Sequence, residues 1–187
     1  MPRSLLLPRP LFLTLLLLFV TVLSAHRAAA APTSDIEVCV QLQGTRPLAT
    51  QGEPGLQWQL RATPGGAAIF SGSGETDRFG CFNAAAFPGQ IYHLWARSAD
   101  TIAMEKPLPT PWPSTGTVDL RTAAVGAANA LILREGNAFG ADNVIDFGDW
   151  SLFIPTLGTT NPVGDFNEDG AVNFGDFSLL VPNLGAS

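Results

Sequence analysis

Between Asp165 and Asp176 the chain reads DFNEDGAVNFGD, with side-chain oxygens at Asp165, Asn167, Asp169, Asn173 and Asp176. A hard cation such as Ca²⁺ takes six to eight oxygens at roughly 2.3–2.6 Å, and acceptors set at every second residue converge on one point. The carbonyl of Ala171 adds a backbone ligand, and Asn173 is suited to hold a bound water. Gly170 stands where the loop has to turn sharply, a conformation glycine adopts without a steric penalty. Val172 points away from the ion toward whatever core the loop rests on. The bland alternative is an acidic, glycine-containing surface turn. Six matched positions leading into an apolar helix favour Ca²⁺ over that turn.

The pattern is that of an EF-hand-type calcium loop closed by Asp176 in place of the usual glutamate. It also has a partner. Phe147-Gly-Asp-Trp-Ser-Leu-Phe-Ile-Pro-Thr-Leu-Gly158 aligns with Phe174-Gly-Asp-Phe-Ser-Leu-Leu-Val-Pro-Asn-Leu-Gly185, so the C-terminal segment is a duplicated loop–helix unit. This tandem resembles a type I dockerin, the calcium-dependent module that plugs cellulosomal enzymes into cohesins. The resemblance covers about the last third of the chain. It implies a cohesin-like protein partner, with a link to extracellular polysaccharide breakdown. The docking residues it implies are the pairs just ahead of the last ligands, Phe147-Gly148 and Phe174-Gly175. Cohesin-binding members often carry Ser-Thr at that place and a basic pair within the helix. This chain has Ile154-Pro155 and Val181-Pro182 at the second place, so the expected docking face is apolar.

The first copy is poorer in oxygens. Asp142, Asp146 and Asp149 match the middle and final positions, with Val144 supplying the carbonyl. Counting back twelve from Asp149 puts Ala138 at the first ligand and Gly140 at the third. Asn137 serves as first ligand only if the loop carries one extra residue. Both readings, a distorted calcium loop and an empty structural copy, stay open here. Pro155 and Pro182 lack a backbone donor and should end or kink each helix.

At the other end, Arg3 and Arg9 precede the apolar run Leu11–Leu23, and Ala28-Ala29-Ala30 offers a small-residue cleavage site. Residues 1–30 therefore read as a secretory signal peptide whose apolar part is too short for a comfortable span. The expectation is a secreted chain with no membrane span after cleavage. Losing Arg3, Arg9 and Arg27 from ten basic residues leaves seven, against sixteen acids. Residues 134–187 hold eight of those acids and only Arg134. No basic cluster exists to hold nucleic acid. In an exported chain Cys39 and Cys81 are expected to pair.

From Ile36 the pattern changes to period two. Ile36, Val38, Val40 and Leu42 alternate with polar residues, and Leu56, Trp58 and Leu60 repeat the alternation. Further strands are expected at 67–71, 79–82, 91–97, 101–105, 117–121 and 130–133. Many short strands, frequent Gly and Pro and no helical period argue for an antiparallel β-sandwich over residues 35–133. The expected architecture is thus multidomain β + α, a sandwich followed by a small α-helical module over 134–187. Thr76, Asp77, Gly80 and Phe82, then Pro88, Gly89 and Tyr92, resemble the "T-D-x-x-G-x-F" and "P-G-x-Y" segments of carboxypeptidase-regulatory-like or Cna-B-like sandwiches. That resemblance implies a fold, and a fold does not name an activity.

No catalytic set emerges. His93 is the one histidine after the leader, and no G-x-S-x-G elbow accompanies it. Glu37, Glu53, Glu75, Glu105 and Asp119 are acids that nothing in the sequence brings together. The chain is expected to be no enzyme. Trp58 and Trp95 read as core, Trp150 as packing between the two short helices, and Trp112 as an exposed residue of a proline-rich loop. An alternative function follows from Trp112: carbohydrate or surface binding by the sandwich, with the calcium loops only structural.

Overall fold

A computed structural model describes residues 33–43, 52–139 and 142–187; the leader reading at 1–30 lies outside them. Thr33–Ser187 forms one compact unit. One sheet has the order β5-β1-β8, built from Cys81–Ala86, Ser34–Cys39 and Thr117–Asp119. The facing sheet has the order β4-β3-β6-β7, from Ala68–Gly74, Leu56–Arg61, His93–Arg97 and Met104–Pro107. A short pair, β2 (Gln41–Leu42) with β9 (Ile132–Leu133), leads toward the C-terminal segment. A single helical turn, α1 (Thr122–Val125), lies between β8 and β9.

The period-two pattern explains why these segments become strands and which face is inside. Ile36, Val38, Val40, Leu56, Trp58, Leu60, Leu94 and Ala96 all turn inward, and Phe82, Leu120 and Leu133 complete the layer between the sheets. Burying such side chains contributes roughly 1.5–3 kcal/mol each, and this is the main force holding the sandwich. Cys39 and Cys81 face each other in the β1–β5 register with Cα atoms 4.0 Å apart, and a disulfide joins them.

Several expectations need correcting. The sandwich is not purely antiparallel: β1 pairs with β8, and β2 with β9, in parallel. Parallel neighbours need a long crossover, and here the intervening chain travels through the opposite sheet. The strand expected at 79–82 starts at Cys81, because Thr76–Gly80 is a turn. The Asp77 carboxylate accepts there from the Phe79 and Cys81 amides, and Gly80 takes a positive φ of 79°. The strand expected at 101–105 starts at Met104. Trp112 is not exposed. It is 1 % exposed, stacks edge-on with Tyr92 and donates its indole N–H to the Ser34 carbonyl. Proline-rich surroundings suggested a surface loop, but a ring of that size closes the end of the sandwich. Trp95, in turn, lies on the outer face of β6 under the Arg61 guanidinium, not in the core.

Candidate metal centre

The C-terminal repeats each build one helix. α2 is Phe147–Phe153 and α3 is Phe174–Leu180. Both start with the same cap: Asp146 accepts from the Gly148 amide and Asn173 from the Gly175 amide. In return the Asp149 and Asp176 carboxylates accept from the Asp146 and Asn173 amides, completing a reciprocal capping box. Each helix tightens into one 3₁₀ turn at its proline, Ile154–Thr156 and Val181–Asn183. The two copies are stitched by mutual exchange. Ile145 pairs with Ala186, in the chain leaving the second helix. Val172 takes the equivalent bonds with Gly158 and Thr159, in the chain leaving the first. Ile145 and Val172 point inward, joining Phe153, Phe166, Leu179, Leu180 and Ile102 in a second core. Trp150 and Phe177 meet at 5.6 Å between the helices. Met104 packs against both cores.

In the second loop the named residues are joined in a ring of hydrogen bonds. Asp165 accepts from the Asp169 and Gly170 amides through its two oxygens. Asp169 accepts from Ala171 N–H and from the Asn167 and Asn173 side-chain amides. Asn173 also donates to the Ala171 carbonyl at 2.8 Å. Asp176 closes the ring, accepting from the Asn167 amide at 3.0 Å and the Asn173 amide at 2.8 Å. Gly170 has φ 87°, as the sharp turn requires. Gly175 is held small by the same geometry, since a Cβ there would lie 2.8 Å from Asn167 Nδ2. Its smallness therefore serves the loop.

The electrostatics of this ring are those of crowded negative charge. Burial pushes the Asp176 carboxyl above its ordinary range, and the Asp165 and Asp169 charges add to that, against the amides of Asn173 and Asn167. For Asp169 burial works upward too, but the side-chain amides of Asn167 and Asn173 and the Ala171 N–H outweigh it and hold the carboxyl low. Three carboxylates, two amide side chains and one carbonyl, gathered in one loop and joined by hydrogen bonds, match a hard divalent cation in number and kind of donor.

The first loop has the same cap but a different register. Asp149 Oδ1 accepts from Phe139, ten residues ahead, whereas Asp176 Oδ1 accepts from Asn167, nine ahead. The first loop is therefore longer by one residue. Asn137 takes the place of Asp165, Ala138 that of Phe166 and Phe139 that of Asn167. Packing agrees: Ala138 lies against the second core as Phe166 does, and Phe139 is 60 % exposed. Asp142 accepts from Val144 N–H as Asp169 does from Ala171 N–H. Asn143, at φ 58°, occupies the turn that Gly170 makes in the other copy. Gly140, the third ligand position by simple counting, lies outside the described residues, as does Ala141.

Beside the loops, Phe147 and Phe174 are 78 % and 77 % exposed at the start of their helices. Ile154 with Val181, and Leu157 with Leu184, are exposed in matching pairs. The copies differ at one position of this face: Leu152 is 37 % exposed and its counterpart Leu179 is 8 %. On the second copy Asn183 donates to Gln43 Oε1 and to the Glu135 carbonyl, drawing α3 against the sandwich.

One cluster escaped sequence reasoning. Glu53, Asp100 and Glu135 bring carboxylate oxygens within 4.8 Å of one another, with Glu53 and Glu135 fully buried. All three have further polar or electrostatic partners in the fold. They come from a turn, an interstrand loop and the segment after β9, so spacing along the chain carries no sign of them. Among the described residues no helix is long and apolar enough to cross a membrane.

No protein-family model matches the chain, and no curated protein does. Solved structures do. A chain from the crystal structure of an N-terminal interface mutant of a type II cohesin–X–dockerin complex from Acetivibrio cellulolyticus aligns with TM-score 0.57 at 16 % identity, over 81 % of this chain and 96 % of that one. A chain from the C-terminal interface mutant of the same complex aligns with TM-score 0.56 at 16 % identity, with the same coverage. The shared fold is β-rich, a sandwich with a few short helices. An alignment over 81 % of this chain cannot be made from residues 1–133 alone, so it reaches into the C-terminal segment.

Proposed function

We propose that this chain is a secreted, non-catalytic attachment protein whose C-terminal loop–helix pair is a dockerin-like module, shaped by calcium and docked onto a cohesin-like protein. The observation that carries the reading is the hydrogen-bonded ring that links Asp165, Asn167, Asp169, the Ala171 carbonyl, Asn173 and Asp176 at the start of a capped helix. Asp165, Asn167, Asp169, Asp176 and the Ala171 carbonyl would hold the ion directly, with Asn173 acting through water. The ion would neutralise carboxylates that otherwise repel one another and fix the angle at which α3 leaves the loop. A module this small buries little surface, so metal binding and folding are coupled.

Phe147 and Phe174, with Ile154, Val181, Leu157 and Leu184, supply the docking face. Gly148 and Gly175 let the chain pass close to the loop beside each phenylalanine. An apolar face suits the departure of this chain from the polar pairs of familiar dockerins. Sugar stacking by the sandwich loses its main support with Trp112 buried.

The test is a pull-down on an immobilised type II cohesin, with and without EDTA. Capture in calcium, loss on chelation and loss in Phe147→Ser with Phe174→Ser support the reading. Capture of neither form by any cohesin, together with glycan binding by the chain, contradicts it.

A further inference from the structure

The duplicated loops are held in different ways. In the second, the bonds to Asp165, Asp169 and Asp176 come from the ring itself, and Val172 pairs with Gly158 and Thr159 of the chain leaving the first helix. In the first, the sandwich supplies the partners. The Gly136 and Asn137 amides donate to the Asp100 carbonyl, at 3.2 and 2.9 Å. Thr101 pairs with Glu135, and Ile102 donates to the Arg134 carbonyl. At the far side of the loop, Asn143 Oδ1 accepts the Ala103 amide. Residues 100–103, the connection between β6 and β7, thus grip the first loop at its entry and at its turn.

The ligand set is reduced where the grip is tightest. Asn137, neutral and 1 % exposed, stands where Asp165 stands in the other copy. Phe139, with no side-chain oxygen, stands in place of Asn167. The glycine of the sharp turn has become Asn143, whose side chain is spent on Ala103. A loop that offers one fewer ligating side chain and one fewer charge near its start is a weak match for Ca²⁺, although Asp146 in place of Asn173 adds a carboxylate further on.

We propose that the sandwich, not an ion, holds the first loop, so that the chain takes up a single calcium ion, in the second loop. This rests on the calcium reading of the second loop and goes beyond it by assigning the role of the first. The backbone conformation that an ion imposes on one copy is imposed on the other by the Ala103 amide and the Asp100 carbonyl. The duplicated module keeps two helices while needing one metal.

Calorimetric titration of the chelator-stripped full chain with CaCl₂ tests it. The expected result is one ion per chain. Asp165→Ala removes that uptake, and Asp142→Ala leaves its stoichiometry and affinity within about twofold. Two ions per chain, one of them lost in Asp142→Ala, overturns the inference while leaving the calcium reading intact. No uptake by the unaltered chain removes that reading and this inference with it. A second measurement needs no metal variant. Asn143→Gly keeps the left-handed turn but loses the oxygen that accepts from Ala103. In the calcium-saturated protein it should speed amide exchange at Ala103 and Val144 by at least about tenfold, with the stoichiometry still one. Unchanged exchange there rules out the grip.

Discussion

The two loops of the C-terminal repeat share a cap, a helix and a proline turn, yet the first leans on the sandwich and the second on itself. Asp149 and Asp176 make the same reciprocal cap, but one ring continues into Asp165 and Asp169 while the other continues into Asp100 and Ala103. A duplicated unit needs its loop fixed, and it does not matter to the helix what fixes it. Where tertiary contacts do so, as at Asp100 and Ala103, fewer side-chain oxygens line the start of the loop. Where they do not, the oxygens remain.

Substitutions can break that contrast, and the largest effect is expected from Asp165→Ala combined with Asp169→Ala. Calcium uptake should vanish, and in excess calcium the melting temperature should fall to that of the chelated protein; at a hundredfold excess over Kd the lost stabilisation is about 2.7 kcal/mol. Asp142→Ala with Asp146→Ala should not reproduce it, since the first loop keeps its contacts to residues 100–103.

Cys39→Ser with Cys81→Ser sharpens the contrast from the sandwich side. Opening that loop should cost about 3–4 kcal/mol of sandwich stability by denaturant unfolding. The number of ions bound should stay the same.

Gly175→Ala and Gly148→Ala compare the two loops at one atom each. The added Cβ meets Asn167 Nδ2 at 2.8 Å in the second loop and Asp146 Oδ1 at 3.0 Å in the first. Gly175→Ala should weaken calcium by roughly tenfold, about 1.4 kcal/mol. Gly148→Ala should leave calcium affinity alone and lower the melting temperature slightly.

The smallest expected effect is on pH dependence. Asp176 has its folded pKa raised, chiefly by burial, so its contribution to stability is fully present below the ordinary Asp value of about 4 and is lost as pH rises through the folded value. Asp169, held low, works in the other direction: its contribution is present above the ordinary value and is lost as pH falls. Chelated protein should therefore lose the Asp176 contribution to helix stability as the pH is raised out of the acid range. Asp176→Asn should flatten that slope, read by thermal melts at several pH values.

Much of this could be read along the chain because the relevant spacings are local. The oxygens of the second loop lie within twelve residues, and the period-two runs from Ile36 and Leu56 announce their own buried faces. What could not be read depends on distant partners. The sequence raises the extra residue of the first loop, with Asn137 as its first position, but does not choose it over the register that matches Phe139 with Phe166. The choice is made by the Phe139 amide on Asp149 and by Ala138 on the core. The parallel pairings of β1 with β8 and β2 with β9 depend on how the chain crosses between sheets. Trp112 was misjudged because a proline-rich neighbourhood describes the backbone and not what the ring covers. Glu53, Asp100 and Glu135 meet through the fold alone.

The most direct test of the account is thermal unfolding of the purified chain with millimolar Ca²⁺ and with EDTA, followed at the helices, for the unaltered protein and for Asp165→Ala with Asp169→Ala. The account predicts that calcium raises the melting temperature of the first by several degrees and leaves the second where EDTA leaves it. Identical melting of the unaltered protein in calcium and in EDTA would contradict it.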